Sequence, residues 1–240
     1  MIKKNSLWMA MLLVAVFALP GWSLPKSMIM TMQISSKQGN KPLKADAKLW
    51  YQNQKFRAEI TSNMNMAQGN SPVKISNKAT IITDLKTQIA YMLDASSKTA
   101  IKIDQAQVKQ MTGSQKGPQT FTDPGTLTDP GKIQAEIKKA GGKVVGKAKI
   151  KGHPVTIYQM TNNANMHDGS GKTVAQSITT KVWLADDIGM PLKVEAISNK
   201  MGQIMLMNVT SIQTNVPVSN SLFGVPAGYN VRSLMDMYKK

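Results

Sequence analysis

The stretch Lys181–Glu195, KVWLADDIGMPLKVE, contains the pattern that decides the fold class of this chain. The residues before its two adjacent acids are strand-like, and so are the residues after them. Aspartate and glycine adopt turn conformations at little cost, so the intervening DDIGM predicts a tight connection. We interpret the stretch as a β-hairpin with Asp186 and Asp187 at its exposed tip. A catalytic carboxylate usually needs a cleft that shifts its pKa, so this pair is not interpreted as an active site.

Alternation with a period of two residues extends through most of the chain. In KFRAEIT, Phe56 and Ile60 share one face while charged and polar side chains occupy the other. In Met28–Ile34, MIMTMQI, every second residue is apolar and falls on one side. About eleven such strands follow one another, most of them joined by short turns. This pattern predicts a mainly β chain, an antiparallel meander that curls into a barrel or half-barrel.

The middle of the chain interrupts this pattern. Residues 109–131 are rich in Gly, Pro, Ser and Thr and contain TDPG twice, which predicts a loop with successive turns. Residues 132–142 place Ile133, Ile137 and Ala140 on one helical face before two glycines, which predicts a short helix. We expect the loop and helix to cross the open end of the barrel.

The first 23 residues have the composition of a secretory signal peptide. Ile2–Lys4 is positively charged, Leu7–Leu19 is continuously apolar, and Pro20, Gly21 and Ser23 follow. The apolar run is shorter than the roughly 20 residues that span a bilayer, although a retained membrane anchor is the alternative. We expect residues 24–240 to form one exported domain. The chain has no cysteine, so a disulfide framework is excluded and a periplasmic location is predicted.

The formal net charge of +17 favours anionic partners. Nucleic acid is not expected, because the chain is predicted to be exported and has only two arginines, Arg57 and Arg232. An anionic membrane surface is the partner that this charge predicts. The alternative is that scattered lysines only keep an exported protein soluble.

The sequence offers little for catalysis or metal binding. His153 and His167 lack converging ligands at a suitable spacing, and no nucleophile or phosphate-loop motif stands in its proper context. We therefore expect no enzyme activity, no cofactor and no structural metal. Methionine is prominent instead, and its flexible thioether suits surfaces that fit variable apolar partners. Core packing alone, or copper(I) binding by Met28, Met30 and Met32, are the alternatives.

Five short motifs give the chain a family resemblance. In chain order they are WYxxxKFR at 50–57, GxxVxIY at 152–158, VWL at 182–184, PLK at 191–193 and FxVPxGY at 223–229. In these motifs the chain resembles the LolA/LolB-like superfamily of bacterial outer-membrane lipoprotein-sorting carriers. The resemblance implies a curved, incomplete antiparallel barrel whose helices and loops form a lid over an apolar cavity. It also implies that Arg57 matches an arginine that tethers this lid.

The resemblance predicts a non-enzymatic, monomeric periplasmic carrier whose cavity holds lipid or lipoprotein acyl chains. An envelope sensor or assembly module with a filled barrel is the alternative. The inward strand faces supply the predicted cavity lining, which consists of Met30, Met32, Trp50, Phe56, Ile60, Tyr91, Trp183, Leu192 and Leu206.

Overall fold

A computed structural model describes residues 25–38, 41–68, 71–104, 137–139, 141–167 and 173–237. These residues form one twelve-stranded sheet with very little helix. Its strands are β1 (Ser27–Gln38), β2 (Lys41–Gln52), β3 (Lys55–Gln68), β4 (Ser71–Asp84), β5 (Ile89–Asp94), β6 (Thr99–Asp104), β7 (Lys143–Ile150), β8 (His153–His167), β9 (Thr173–Ala185), β10 (Pro191–Ser198), β11 (Gly202–Thr214) and β12 (Asn230–Ser233). Two 3-10 helices, Asn220–Phe223 and Leu234–Met237, flank β12.

The strand order shows two meanders joined through the first strand. Across the sheet the order is β12-β6-β5-β4-β3-β2-β1-β11-β10-β9-β8-β7. Strand β1 pairs with β2 on one side and with β11 on the other, so the two halves of the chain meet there. Within the described residues β7 and β12 lie at opposite edges and the sheet is not closed. The prediction of a mainly β, incompletely closed sheet is therefore confirmed.

One strand departs from the predicted antiparallel meander. The tail after β11 returns as β12, which pairs with β6 in parallel, with Val231 opposite Ala100. The sheet is consequently mixed, with twelve strands instead of about eleven. A four-residue strand at the end of an irregular tail lacks the alternation by which the longer strands were recognised.

Tight turns set the register of the hairpins. Asn53 and Gln54 connect β2 to β3 with φ angles of 49° and 63°, the left-handed conformation that two-residue hairpin loops require. The predicted hairpin after β9 is also present, because the amide of Ala185 donates to the carbonyl of Met190 at 2.9 Å. Asp186 and Asp187 lie in its turn and are exposed, as expected.

A short helical turn is present at residues 137–139, inside the range predicted to be helical. Ile137 is buried there against Tyr158, Met160 and Leu184 on the sheet. The predicted signal peptide, the loop at 109–131 and the first part of the predicted helix lie outside the described residues. In the part of the chain that the structure describes, no helix is long and apolar enough to cross a bilayer.

Candidate functional site

Alternation on β1 places three methionines on one face of the sheet. Met28, Met30 and Met32 are 0%, 0% and 1% exposed, respectively. Pairing places Leu49 of β2 opposite Met30 on one side and Ile212 of β11 opposite it on the other. The methionine row is therefore continued by apolar side chains on both neighbouring strands.

The same face remains apolar further along the sheet. Phe56 on β3 lies opposite Tyr51 on β2, and their ring centroids are 4.7 Å apart. Beyond β11, Leu192 on β10 is 0% exposed and belongs to the same cluster. We call this group the methionine cluster. Its buried members on β1, β2, β3, β10 and β11 are Met28, Met30, Met32, Ile34, Ala45, Ala47, Leu49, Tyr51, Phe56, Ile60, Leu192, Val194, Met207 and Val209.

Five of the nine predicted lining residues come together in this cluster. They are Met30, Met32, Phe56, Ile60 and Leu192. Trp183 is half-buried and packs against the edge of the same cluster. The Nζ atom of Lys193 lies 4.4 Å from the centroid of its ring, so a positive charge covers part of the indole.

Trp50 and Tyr91 do not join this cluster. Leu49 and Tyr51 belong to the methionine cluster, so alternation directs Trp50 to the opposite face. There it packs, as Tyr91 does, against a second cluster. We call this group the strap cluster, and its buried members are Ile82, Leu93, Ala100 and Phe223.

Leu206 lies outside both clusters. Its strand neighbour Met207 belongs to the methionine cluster, so alternation directs Leu206 to the other face. It sits between Ser35 of β1 and Glu195 of β10 and is partly exposed. The nine predicted residues therefore do not all share one face. Leu206 was included with the others because β11 is apolar on both faces in its IMLM stretch.

The strap cluster is covered by a segment whose position on the sheet was not predicted from the sequence. Residues 216–229, which we call the strap, cross the face opposite the methionine cluster and lead into β12. Phe223 is the buried anchor of the strap, and Leu222, Val225 and Tyr229 pack around it. The apolar residues in SLFGVPAGYN were the available signal, although their position on the sheet could not be read from it.

Arg57 holds the strap to the sheet. Its Nη1 atom donates to the carbonyl oxygen of Leu222 at 3.0 Å. Its Nε and Nη2 atoms donate to Oε1 of Glu59 at 3.1 and 2.8 Å. Lys78 approaches the other carboxylate oxygen of Glu59 at 3.4 Å. Burial acts to raise the pKa of Glu59, but the hydrogen bonds and charges of Arg57 and Lys78 hold this pKa below its ordinary value.

Asp186 and Asp187, in the turn between β9 and β10, contact residues near the start of β8. Oδ2 of Asp187 lies 2.8 Å from Nδ1 of His153, at the start of β8. Oδ1 of Asp186 accepts a hydrogen bond from the Thr156 hydroxyl at 2.8 Å. Burial, with the nearby charge of Asp186, raises the pKa of Tyr158. These contacts account for the acids as structural groups, and no cluster of three metal-binding side chains occurs among the described residues.

Comparison with known proteins finds similarity only at the level of the fold. No family model and no curated protein matches the chain. An uncharacterized conserved protein from Thermus thermophilus is similar with a TM-score of 0.45 and 10% identity, over 94% of this chain and 99% of that one. MucB in the Pseudomonas aeruginosa MucA/MucB complex gives a TM-score of 0.42 and 12% identity, over 92% of this chain and 61% of that one.

A third similar structure is a domain from Vibrio parahaemolyticus named for outer membrane lipoprotein sorting. Its TM-score is 0.31 at 13% identity, over 89% of this chain and 94% of that one. At these scores the likeness is a distant one of fold.

Proposed function

We propose that this protein is a non-enzymatic binder of lipid or lipoprotein acyl chains in the bacterial envelope. The observation that carries the proposal is the methionine cluster, a continuous layer of buried apolar side chains on one face of an open sheet. Five of its buried members are methionines, namely Met28, Met30, Met32, Met190 and Met207. An unbranched thioether side chain changes rotamer easily, so such a surface can rearrange around a flexible hydrocarbon chain.

The energetics favour an acyl chain as the ligand. Burial of each methylene contributes about 0.8 kcal/mol, so about a dozen methylenes supply roughly 10 kcal/mol before the costs of association. Before those costs are subtracted, this free energy corresponds to micromolar binding or better. The proposed contact residues are Met30, Met32, Phe56, Ile60 and Leu192, with Trp183 at the border.

A second candidate is an envelope interaction module whose core is filled by its own side chains. It is favoured by the complete burial of Met28, Met30 and Leu192, which are all 0% exposed. The two candidates differ in one respect that can be measured, since only the carrier rearranges its methionine cluster to admit a ligand.

Native mass spectrometry of the protein purified from its own host, with a fluorescent fatty-acid titration, tests the proposal. A carrier is expected to retain lipid and to bind the probe. The variant M30L/M32L/M207L keeps the side-chain volume but removes the flexible thioethers, and we expect it to weaken probe binding several-fold. M201L, in the turn between β10 and β11, is the matched control and should bind normally. Absence of both retained lipid and probe binding would identify the interaction module.

A further inference from the structure

Charge is unevenly distributed along the chain. Between Ile137 and His167 the sequence contains six lysines and no aspartate or glutamate. All six lysine side chains are exposed. They are Lys138, Lys139, Lys143, Lys147, Lys149 and Lys151. This part of the sequence therefore contributes no acidic side chain, and among the described residues the acids Asp186 and Asp187 contact it, at Thr156 and His153.

These lysines gather at one edge of the sheet. Strand β7 is the last strand in the sheet order and, among the described residues, pairs with β8 alone. The register sets Lys147 opposite Thr156 and Lys149 opposite Pro154, on the same side as Tyr158. Ile137 packs against Tyr158, so the helical turn carrying Lys138 and Lys139 lies on that side too.

Two exposed valines lie among the lysines. Val144 is 53% exposed and Val145 is 51% exposed, and they are two of the four large hydrophobic residues found exposed in the described ranges. The register of β7 shifts between Val144 and Gly146, which leaves Val145 without a paired residue on β8. The edge thus presents two adjacent exposed apolar side chains, which lie between the exposed Lys143 and Lys147 in the sequence. We call these two valines and the six lysines the basic edge.

We propose that the basic edge docks the protein on the surface of an anionic phospholipid bilayer. Each lysine held near such a surface strengthens binding by about fivefold, and apolar side chains among the lysines can enter the headgroup layer. Lysine is a compact charge on a flexible stem, which suits mobile lipid headgroups. The proposal does not depend on whether the methionine cluster binds an acyl chain.

Other occupants fit the edge less well. A second copy of the chain would bring like charges together, which opposes edge-to-edge pairing. An acidic peptide added as a strand would need a regular backbone ladder, and the register shift after Val144 leaves only Gly146–Ile150 regular beyond it. An anionic bilayer needs no backbone register.

Vesicle co-sedimentation of the full-length protein tests the proposal. One set of vesicles contains phosphatidylglycerol and phosphatidylethanolamine, and the other contains phosphatidylcholine alone. We expect the anionic set to bind more protein than the phosphatidylcholine set, by a margin that shrinks as salt is raised because the Debye length shortens. The apolar residues 7–19 are present in every variant and in both assays, so they cannot produce a difference between variants.

Two variants with the same change in charge locate the binding surface. K143Q/K147Q/K149Q/K151Q removes four charges from the basic edge, and we expect the vesicle partition coefficient to fall at least about tenfold. K44Q/K55Q/K86Q/K200Q removes four exposed charges elsewhere and should lower the coefficient less than about threefold. V144T/V145T should lower it about twofold to fivefold while keeping every charge. Circular dichroism and thermal unfolding should match the original protein, because all these side chains are exposed.

Four results would overturn the proposal. Equal losses in the two lysine variants would show that net charge alone drives binding. Undiminished binding by the edge variant would place the contact elsewhere, and equal binding to phosphatidylcholine would remove the electrostatic basis. Binding of polyglutamate without binding of anionic vesicles would identify an acidic polypeptide as the partner.

Discussion

Nη1 of Arg57 donates a hydrogen bond to the carbonyl oxygen of Leu222 across 165 residues of sequence. Arg57 stands near the start of β3, and Leu222 belongs to the strap. Because the strap continues into β12, which pairs with β6, this contact helps to place the last strand at one edge of the sheet. The arginine that the family resemblance linked to a lid therefore contacts, among the described residues, the C-terminal segment.

Replacement of Arg57 by methionine should loosen the strap. The change removes a charged donor from the Leu222 carbonyl and from Glu59 while keeping much of the side-chain volume. Hydrogen bonds to charged groups contribute about 1.5–3 kcal/mol, and we expect a loss of that size in the free energy of unfolding by urea. Limited proteolysis should also cleave the strap sooner.

Lys78 provides the control for this prediction. Its side chain is 61% exposed and approaches Oε2 of Glu59 at 3.4 Å, so K78Q should change the unfolding free energy by less than about 0.5 kcal/mol. If R57M unfolds and is cleaved like K78Q, the strap is held by its apolar contacts alone.

Phe223 should supply most of the apolar attachment of the strap. It is 9% exposed and packs with Ile82, Leu93 and Ala100. Truncation to alanine is expected to cost about 3 kcal/mol and to raise amide hydrogen exchange in β12 and β6. V231A, at a side chain that is 49% exposed, should cost less than about 0.5 kcal/mol. Unchanged exchange in β12 of F223A would mean that the strand pairs independently of the strap.

The alternation in single strands was sufficient to predict several features. The buried row of Met28, Met30 and Met32 follows from MIMTMQI, because successive side chains of a strand point to opposite faces. The hairpin at Asp186 and Asp187 follows from turn chemistry between two strand-like segments. Both features are set by residues close together in sequence.

Features that depend on distant segments could not be predicted in this way. Alternation shows that Trp50 and Leu49 face opposite sides, but both are apolar, and the choice of side depends on what covers each one. Trp50 packs against the strap cluster, whose member Phe223 comes from the strap at residues 216–229. The partners of Asp186 and Asp187, Thr156 and His153, are likewise 30 and 34 residues away and were not foreseen.

Gly142 should be required for the helical turn to dock on the sheet. A Cβ atom at this position would lie 2.4 Å from Cγ2 and 2.6 Å from the carbonyl oxygen of Ile137. Such overlap forces the turn away from its contact with Tyr158, so G142A should destabilise the protein by about 1–3 kcal/mol in urea unfolding. At Gly146 the nearest atom would be 3.5 Å away, and G146A is therefore the tolerated counterpart. Equal stability of the two variants would show that the turn adapts freely.

Two substitutions of Met30 should distinguish the effect of lost side-chain volume from the effect of lost side-chain flexibility. M30A removes a side chain that is 0% exposed, and we expect a loss of about 2–5 kcal/mol in unfolding free energy. M30L conserves volume and should cost less than about 1.5 kcal/mol. A small cost for M30A would mean that the cluster collapses easily or is already partly hollow. Retained binding in a fatty-acid titration of the same variant would indicate the hollow cluster.

Protonation of Glu59 should make the protein less stable in acid. Although burial opposes ionisation, Arg57 and Lys78 outweigh it, so the folded-state pKa of Glu59 is below its ordinary value. A lowered pKa means that the ionised carboxylate stabilises the fold above the ordinary glutamate pKa of about 4.3, and that this stabilisation is lost as pH falls through the folded-state pKa. E59Q has no such charge, so its melting temperature should lie below that of the original protein at pH 7 and converge with it towards pH 3.

D46N, at an exposed acid on β2, should follow the original protein throughout. A gap between E59Q and the original protein that stayed constant from pH 7 to pH 3 would show that the amide disturbs the site by its shape, and that the charge of Glu59 contributes nothing.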